Sequence, residues 1–516
     1  MNEYRKQLIS QVPRLLGLMN RNSLSESYGC FDRTYWQYKI IDTPSARCQE
    51  AVLTLALLYT QKGSVYYNNQ IIKKWIDAGL DFWCKIQSKN GSFSEWYPNE
   101  NSFVATAFST AAITETLIIL GNEKTNEDVL DAVKKAGNYL LTKKETRVQN
   151  QEAGAILAYQ NLYLLTGDDK YKYAAETKID FIACTQTNEG WFHEYGGADI
   201  GYLSLTIDYL AKYYLKSDNP LVIGIIEKAI EFISYFIHPN GTFGGEYGSR
   251  NTEFIIPSGF ELMIGKAKGA ETIAYAIRNA LKGKTTITPE SIDDRYLTYI
   301  GYSWLQAGQL NKRIKKKKQK YSKYFIKDFQ EAKILVVSNN KLYGIIGYGK
   351  GGACKLFFKN GKTVYDSGIL AIAHKILYSS YLSQDHESVL ANNKLTITGK
   401  LAVVNDKPLT PLSNISLRLF QMSIGKNEKI GKAIKEKLRD RLISKQKITN
   451  NPFRRIIDLN KGTIHDFVNE KTIQITGSKY SFAYTPSSRY FQISELWRGR
   501  KTFSNEGRPR RSRNYT

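Results

Sequence analysis

A short motif repeats along the first half of the chain at intervals close to 50 residues. It reads NGSFSEWY at residues 90–97, EGWFHEY at 189–195 and NGTFGGEY at 240–247. Each copy has a glycine, an aromatic residue two positions later, and then a glutamate followed by Trp or Tyr. The three glycines are 99 and 51 residues apart, which is close to two periods and one. Self-similarity at such a period is typical of folds built from repeated supersecondary units.

The segments between these motifs have the apolar spacing of helices. Ile72, Ile76 and Leu80 follow this spacing ahead of the first motif copy. We expect further helices at Tyr4–Met19, Ser102–Leu120, Glu152–Leu165, Tyr202–Tyr214 and Ile256–Ala280, and a helix start at a capping box of Thr125 and Asp128. The unit is therefore helix, Gly-aromatic loop, helix. Such hairpins are expected to close into an (α/α) toroid, with loops 88–101, 186–201 and 239–253 on one rim, the binding face of repeat folds.

From about residue 330 the pattern changes to short strands. Asn360-Gly361 separates two strand-like runs, a strong hairpin signal, and Leu395–Thr398 and Thr472–Ile475 alternate. The glycine-rich run 342–352 fits a strand with bulges better than a nucleotide loop. One basic amphipathic helix is expected at Lys426–Lys445.

These patterns predict an α+β multidomain protein, with an N-terminal (α/α) toroid of helical hairpins followed by a C-terminal antiparallel β-sandwich. The expected boundaries are 1–310 for the toroid, 311–328 for a basic linker, 329–498 for the β-sandwich, and 499–516 for a basic disordered tail.

The formal net charge of +25 favours acidic partners. Much of it lies in 312–323 and from Arg498 onward, with no nucleic-acid-binding motif, so no nucleic acid is expected. Five scattered cysteines argue against a disulfide framework and a zinc site, and no metal or cofactor is expected. The charged N-terminus does not read as a signal peptide, and no apolar run of 18 residues is expected, so the sequence predicts a cytoplasmic protein without a transmembrane segment.

The richest stretch for chemistry is 186–206, QTNEGWFHEYGGADIGYLSLT. Aromatic rings, a histidine and carboxylates among glycines suit a sugar-processing cleft, because glycine lets the backbone approach a ligand closely. The eroded motif copy near residue 141 is followed instead by Asn150 and Gln151, ahead of an apolar helix. In the next loop, Arg250 could pair with a substrate carboxylate in a bidentate manner, or with a neighbouring glutamate.

A helical toroid followed by a β-sandwich, with the local sequences GWFHEYGGADIGY and the Asn150-Gln151 helix start, resembles the heparinase II/III-like polysaccharide lyases. The resemblance implies β-elimination on a glycan that contains uronic acid. It implies that Asn150 neutralises the substrate carboxylate and that Tyr202 is the acid/base, with Tyr195 as its rival. It also implies a histidine from the β-sandwich, either His374 or His386.

His193, within the loop motif, is a further catalytic candidate. The expected substrate-binding set comprises Arg250, Asn251, Glu194, Asp199, Tyr247, Trp96, Trp191 and Gln151. The expected partner is an acidic polysaccharide or oligosaccharide.

Three other functions fit the same rim. A glycoside hydrolase would use two carboxylates from the set Glu95, Glu194, Asp199 and Glu246. A uronate C5-epimerase would share the proton abstraction without cleavage. A non-catalytic glycan-binding or surface-polysaccharide assembly protein would keep the aromatic and basic residues but would not need Tyr202.

Overall fold

The computed structural model describes residues 2–121, 126–310, 312–373, 376–383, 386–405, 408, 410–427, 430, 431, 433, 434, 437, 447–468 and 474–476. The helices are α1 (Glu3–Ile9), α2 (Val12–Leu18), α3 (Arg33–Trp36), α4 (Ala51–Thr60), α5 (Gln70–Lys85), α6 (Phe103–Leu120), α7 (Glu127–Leu141), α8 (Asn150–Thr166), α9 (Asp169–Thr185), α10 (Ile200–Ser217), α11 (Leu221–Ser234), α12 (Ser258–Leu262), α13 (Ala270–Lys282), α14 (Asp294–Ala307) and α15 (Pro411–Met422). The strands are β1 (Phe325–Phe329), β2 (Ile334–Ser338), β3 (Leu342–Gly347), β4 (Ala353–Phe358), β5 (Thr363–Asp366), β6 (Leu370–Ala373), β7 (Ile376–Ser379), β8 (His386–Ala391), β9 (Lys394–Val403), β10 (Ile448–Asp458), β11 (Thr463–Val468) and β12 (Gln474–Thr476).

The helices form two concentric rings. The inner ring runs α4, α6, α8, α10, α12 and α14, each packed on the next, and α14 closes the ring against α4. The inner helix α6 is apolar or small on every side, whereas the outer helices α5 and α7 are amphipathic. A helix that is apolar all round must be buried, and an amphipathic one shows its polar face to solvent. The sequence patterns of α5, α6 and α7 therefore agree with their places in the two rings.

The repeated glycine of the motif has a structural reason. Gly190 has φ +97°, and a Cβ built on it would lie 2.3 Å from the carbonyl oxygen of Lys228 in the next outer helix. Gly91 meets the Lys135 carbonyl of α7 in the same way, and Gly29 meets the Ala78 carbonyl of α5. Each of these loops thus packs against the backbone of the following outer helix, and only glycine fits there. Gly29 begins a further copy that the sequence analysis did not identify.

We expect Gly190→Ala to destabilise the toroid by about 1–3 kcal/mol, because alanine disfavours a positive φ and its Cβ would collide with the Lys228 carbonyl. Gly224→Ala is the matched control in α11. It is an exposed helical glycine with open space around its Cβ, so alanine there should stabilise by about 0.5–1 kcal/mol. Urea unfolding followed by tryptophan fluorescence reads both changes. Equal effects of the two substitutions would contradict this explanation of the repeat.

The strands form two antiparallel sheets. The first has the order β1-β2-β3-β4-β5, and the second has the order β11-β10-β9-β7-β6-β12, with β8 also paired to β9. In β2, Ile334 and Val336 pack into the core shared with the toroid, while Leu335 and Val337 pack into the core between the sheets. The central strands β2 and β3 are therefore buried on both faces, which explains why they are almost continuously apolar.

The toroid and the first sheet make direct contacts. Asn240 donates from Nδ2 to the Tyr365 hydroxyl at 2.8 Å, and Lys355 forms an ion pair with Glu253 at 2.7 Å. The imidazole of His238 stacks on Phe357, with 4.9 Å between ring centroids. These contacts fix the loop 239–253 between the two halves of the molecule.

The structure confirms the predicted fold class, with most of the expected helices and the hairpin at Asn360-Gly361. The single helix expected at Ile256–Ala280 is wrong. It is two helices, α12 and α13, separated by a turn in which Gly265 and Gly269 have positive φ. The helix expected at Tyr4–Met19 is likewise divided into α1 and α2.

Other expectations in the sequence are corrected or lie outside the described residues. The cap of α7 is Asn126, whose side chain accepts from the Asp128 amide at 3.1 Å, and Thr125 is outside the described residues. The glycine-rich run is the strand β3 followed by a 3₁₀ turn at Tyr348–Lys350. Of the helix expected at Lys426–Lys445, only a few positions are described, and the tail 499–516 also lies outside.

One helix in the described part of the chain, α6, is long and apolar enough to span a membrane by composition. Its mean hydropathy is 1.7, so the expectation that no apolar run of 18 residues occurs was wrong. Its place in the inner ring accounts for this composition, since 67% of it is buried inside the protein. All five cysteines are free.

Candidate active site

The candidate site lies on the rim where the inner helices begin. Each loop on this rim leads from an outer helix to the N-terminus of an inner one, and hydrogen bonds join neighbouring loops. The Gln149 amide donates to the His193 carbonyl at 3.1 Å, the Tyr195 amide to the Arg147 carbonyl at 3.0 Å, and the Ser249 amide to the Ala198 carbonyl at 2.8 Å. Residues that are far apart in sequence are thereby held at one place.

Glu194 joins the motif loop to the start of α8. Its carboxylate accepts from the backbone amide of Asn150 at 2.9 Å and from Nδ2 of the same residue at 2.6 Å. Both side chains are buried, and burial raises the pKa of Glu194 well above its usual range despite these hydrogen bonds. The amide of Asn150 is thus directed at Glu194, and the repeated glutamate of the motif holds a helix N-terminus here.

Asp199 is the N-cap of α10 and holds the next loop against that helix. It accepts from the Tyr202 amide at 3.2 Å, from the Arg250 amide at 3.0 Å, and from the Thr252 hydroxyl. Burial raises its pKa, and the hydrogen bonds oppose this rise. Because one carboxylate binds the backbone of both Tyr202 and Arg250, these two residues are brought close together.

Arg250 is the central cation of the site. Its side chain is 8% exposed, its guanidinium carbon lies 3.9 Å from the centroid of the Tyr195 ring, and its Nε is buried with no hydrogen-bond partner. Burial favours the neutral guanidinium, but the nearby Tyr202, Tyr195 and Asp199 more than offset it and leave the pKa of Arg250 raised. A buried donor without a partner is costly, and a substrate oxygen would satisfy it.

Tyr202 and Tyr195 flank this arginine in different ways. Tyr202 is half-buried in the first turn of α10, with its ring edge-on to Phe254 at 6.3 Å between centroids. Tyr195 has φ +55° and offers the face of its ring to Arg250 as a cation–π contact. The ring of Tyr195 thus contacts the guanidinium directly, while Tyr202 lies near the same cation and packs against Phe254.

The second half of the chain contributes residues that the sequence analysis missed. The Tyr381 hydroxyl donates to Oδ1 of Asn251, a buried residue with φ +57° next to Arg250. The Nζ of Lys350 lies 5.4 Å from the Tyr381 ring centroid. Burial and the nearby Arg250 lower the pKa of Lys350 to about 8. The only sequence signal was the glycine-rich run around Lys350, which the pattern assigned to a strand.

A second polar cluster lies beside the 88–101 loop. The guanidinium carbon of Arg295 is 4.0 Å from the ring of Trp96, which is 47% exposed. Glu95 is buried and accepts from the Tyr299 hydroxyl at 3.3 Å. Burial raises the pKa of Glu50 to about 7 beside Arg47, its ion-pair partner at 2.7 Å.

The remaining expected site residues occupy varied positions. His193 is exposed, with its ring edge-on to Trp191 at 5.0 Å between centroids, whereas Trp191 is buried and donates to Glu189 at 2.8 Å. Tyr247 is buried in the core, with its hydroxyl 2.9 Å from Nε2 of His238. The structure thus gives Trp191 and Tyr247 supporting positions behind the rim rather than open ones.

The other expected site residues are Gln151, His386 and His374. Gln151 is 9% exposed in the first turn of α8. His386 begins β8, and its Nδ1 is buried with no hydrogen-bond partner. His374 lies outside the described residues.

Comparisons with known proteins agree with this architecture. The family model of the ulvan lyase N-terminal domain matches residues 36–255, which include most of the rim. No curated protein sequence matches the chain. The resemblance to polysaccharide lyases in general is therefore supported, while the assignment to the heparinase II/III-like family stays a prediction.

The solved structures that are similar to this chain include two polysaccharide lyases. A Paenibacillus xanthan lyase is 12% identical with a TM-score of 0.50, over 78% of this chain and 46% of that one. The Streptomyces coelicolor A3 chondroitin AC lyase in complex with chondroitin sulphate is 10% identical with a TM-score of 0.49, over 79% of this chain and 67% of that one. The chain spans less than half of the xanthan lyase. At this identity, the likeness to the xanthan lyase shows a common fold.

Proposed function

We propose that this protein is a polysaccharide lyase that cleaves an acidic, uronic-acid-containing glycan by β-elimination. The observation that carries the proposal is the buried Nε of Arg250, which has no hydrogen-bond partner and lies in a cluster with Tyr195 and Tyr202. The match to the ulvan lyase N-terminal domain over 36–255 and the lyase-like fold support the reaction class.

The chemistry requires a cation at the substrate carboxylate. The proton at C5 of a uronate is acidic only if the charge of the adjacent carboxylate is neutralised. Arg250 would bind that carboxylate through the fork of its guanidinium and stabilise the enediolate that forms. Asn150 would act mainly through Glu194, because its amide donates to that carboxylate at 2.6 Å.

Tyr202 would move the proton. Its backbone is held beside that of Arg250 by their shared bonds to Asp199, so its phenolic oxygen, once deprotonated, could accept the C5 proton and return it to the leaving oxygen at C4. His193 is exposed on the neighbouring loop, and Tyr195 lies against Arg250, so these two residues are the rival bases.

The buried carboxylates disfavour the hydrolase alternative. A glycosidase needs two carboxyl groups that face the bound sugar from either side of the scissile bond. Glu194 and Asp199 are each 1% exposed and accept hydrogen bonds from the backbone of the protein, and Glu95 is 5% exposed. Two of the four candidate acids thus hold loops and helix starts, and a third is buried against the Tyr299 hydroxyl.

A polysaccharide panel tests the reaction class. The protein would be incubated with ulvan, xanthan, chondroitin sulphate and a neutral glucan, and the ultraviolet absorbance of a new C4=C5 double bond would be followed. We expect product with at least one acidic glycan and none with the neutral one. Chain cleavage without the double bond would indicate a hydrolase. Solvent deuterium uptake without cleavage would indicate an epimerase.

On the active substrate, we expect Arg250→Met to lower kcat by about 10²–10³-fold, the typical cost of removing one donor from a developing oxyanion. Arg313→Met is the matched control, since it removes the same charge at an exposed position of the basic segment 312–323. General attraction between a protein of charge +25 and a polyanion changes equally in both variants. Similar losses in the two variants would mean that Arg250 contributes only bulk charge.

A further inference from the structure

A glycine-rich turn, residues 347–352, joins β3 to β4 and is wedged between three parts of the protein. A Cβ on Gly347 would lie 3.0 Å from the backbone of Tyr247 in the toroid. One on Gly351 would lie 2.3 Å from the Ser380 carbonyl oxygen, and one on Gly352 would lie 2.6 Å from the Arg455 side chain. This crowding explains the glycine-rich sequence, because larger residues would push the turn away from the rim. A nucleotide-binding role is not needed to explain it.

This turn carries one long polar side chain, Lys350, to the candidate site. The lysine is half-buried, and its Nζ lies 5.4 Å from the ring centroid of Tyr381. The hydroxyl of Tyr381 is bonded to Asn251, the residue after Arg250. The turn therefore places a second cation beside the first, from a different domain.

The two cations repel each other, and Asp199, a carboxylate that acts on Lys350, is already occupied. Burial lowers the pKa of Lys350 most and Arg250 lowers it further, while Asp199 and Glu246 oppose that change only in part. Asp199 accepts four hydrogen bonds from protein groups, which reduces what it can offer to a lysine. An anion placed between Arg250 and Lys350 would relieve the repulsion.

The positive region continues along the β-sandwich. Burial lowers the pKa of His386, and Lys333 and Lys350 lower it further. Its Nδ1 is buried with no hydrogen-bond partner, and Lys333 is exposed next to the glycine-rich turn, whose Gly349 amide donates to the Lys333 carbonyl at 3.1 Å. Of these groups, the exposed Lys333 extends the positive surface beside the turn.

We propose that Lys350 binds a second anionic group of the substrate, a carboxylate or a sulfate on the reacting sugar or its neighbour, while Arg250 holds the carboxylate at the reacting centre. This inference rests on the proposed function and extends it. The glycine-rich turn is thereby a substrate-binding element, and the site requires both domains.

The test compares Lys350→Met and Lys350→Arg with a control, Lys341→Met. Lys341 is exposed at the other end of β3, roughly 20 Å away by the rise of a strand. We expect Lys350→Met to raise KM about tenfold with kcat within about twofold, because a charge-assisted hydrogen bond to the substrate is lost in binding. Lys350→Arg and Lys341→Met should keep KM near the wild-type value. An unchanged KM in Lys350→Met would overturn the proposal.

The pH dependence of KM shows whether Lys350 binds the substrate through its charge or only supports the structure. Lys350 is charged below a pKa of about 8, so wild-type KM should rise as the pH increases through that value, and Lys350→Arg should not show this rise. Glu246, Asp199, Tyr381, Arg250 and His386 also face the lysine, but they remain in both proteins and cancel in the comparison. Identical pH profiles would contradict the assignment.

A binding assay tests the role of Lys350 independently of the proposed elimination reaction. Affinity electrophoresis in gels containing chondroitin sulphate or unsulfated chondroitin measures retention without turnover, and a loss confined to the sulfated gel identifies a sulfate rather than a carboxylate. If Lys350→Met and Arg250→Met both weaken retention but the wild-type protein forms no double bond, the proposed elimination is wrong and the Lys350 binding site is supported. If only Arg250→Met weakens retention, the Lys350 proposal is wrong. If neither substitution weakens retention, the proposed roles of both residues are wrong.

Discussion

Tyr202→Phe should lower kcat about 10²–10⁴-fold on the active polysaccharide, the usual contribution of a general acid–base group. The substitution removes one oxygen and keeps the ring, so the edge-on contact with Phe254 at 6.3 Å and the N-terminal turn of α10 should remain. Substrate affinity should therefore change little. Initial rates from the ultraviolet absorbance of the product, together with affinity electrophoresis of the same variant, measure the two quantities separately.

Tyr195→Phe is the matched control for this prediction. It also removes a single phenolic oxygen, and its ring would keep the 3.9 Å contact with Arg250. We expect a much smaller loss of kcat than in Tyr202→Phe. The reverse order would assign the proton transfer to Tyr195, and a large loss only in His193→Ala would assign it to the histidine. Normal activity in all three variants would remove the reaction from this rim.

The helical half was predictable because two independent signals agreed. Apolar spacing marked the helices, and the repeated Gly-x-aromatic unit marked the turns that enter the inner ring. The copy at Gly29 was missed because no glutamate follows its aromatic residue, although its glycine packs against the next outer helix in the same way. The break between α12 and α13 was missed because apolar residues continue through the turn that Gly265 and Gly269 form.

Site residues were predictable from the sequence where they lie in or next to the loops of the repeated motif. Asn150 and Tyr202 lie in the first turns of inner helices and Arg250 lies on a loop of the same rim, so the repeat pattern of the sequence is enough to place them together. Lys350 and Tyr381 come from the β-sandwich, and their proximity to Arg250 depends on the packing between domains, which no local pattern encodes.

Residue type alone does not divide the aromatic residues of the motif into buried and exposed ones. Trp191 is 1% exposed and Trp96 is 47% exposed, yet both belong to copies of the same motif. The difference arises because the two indoles occupy different positions relative to the motif glycine, so they face different sides of the loop. A ring two positions after the glycine, as in Phe93 and Phe243, is buried in the core.

The β-sandwich depends on one buried cation that links its two sheets. Arg455 of β10 is fully buried and donates to Asp466 of β11 at 2.7 Å through both Nε and Nη2. Its Nη1 donates to Asp366 of β5, in the other sheet, at 2.7 Å, and to the carbonyl of Gly352 at 3.0 Å. The same side chain therefore joins the sheets to each other and supports the turn that carries Lys350.

Arg455→Met should destabilise the sandwich by about 3–5 kcal/mol, because it leaves two buried carboxylates without their counter-ion. The triple variant Arg455→Met, Asp366→Asn, Asp466→Asn should recover much of this loss, since replacing all charges of a buried network is far less costly than removing one. Hydrogen exchange of the 453–458 amides, read by mass spectrometry, gives the local opening free energy. A loss of similar size in the single and triple variants would show that Arg455 acts by filling volume. Recovery in the triple variant would instead show that the charges of this buried network must be balanced.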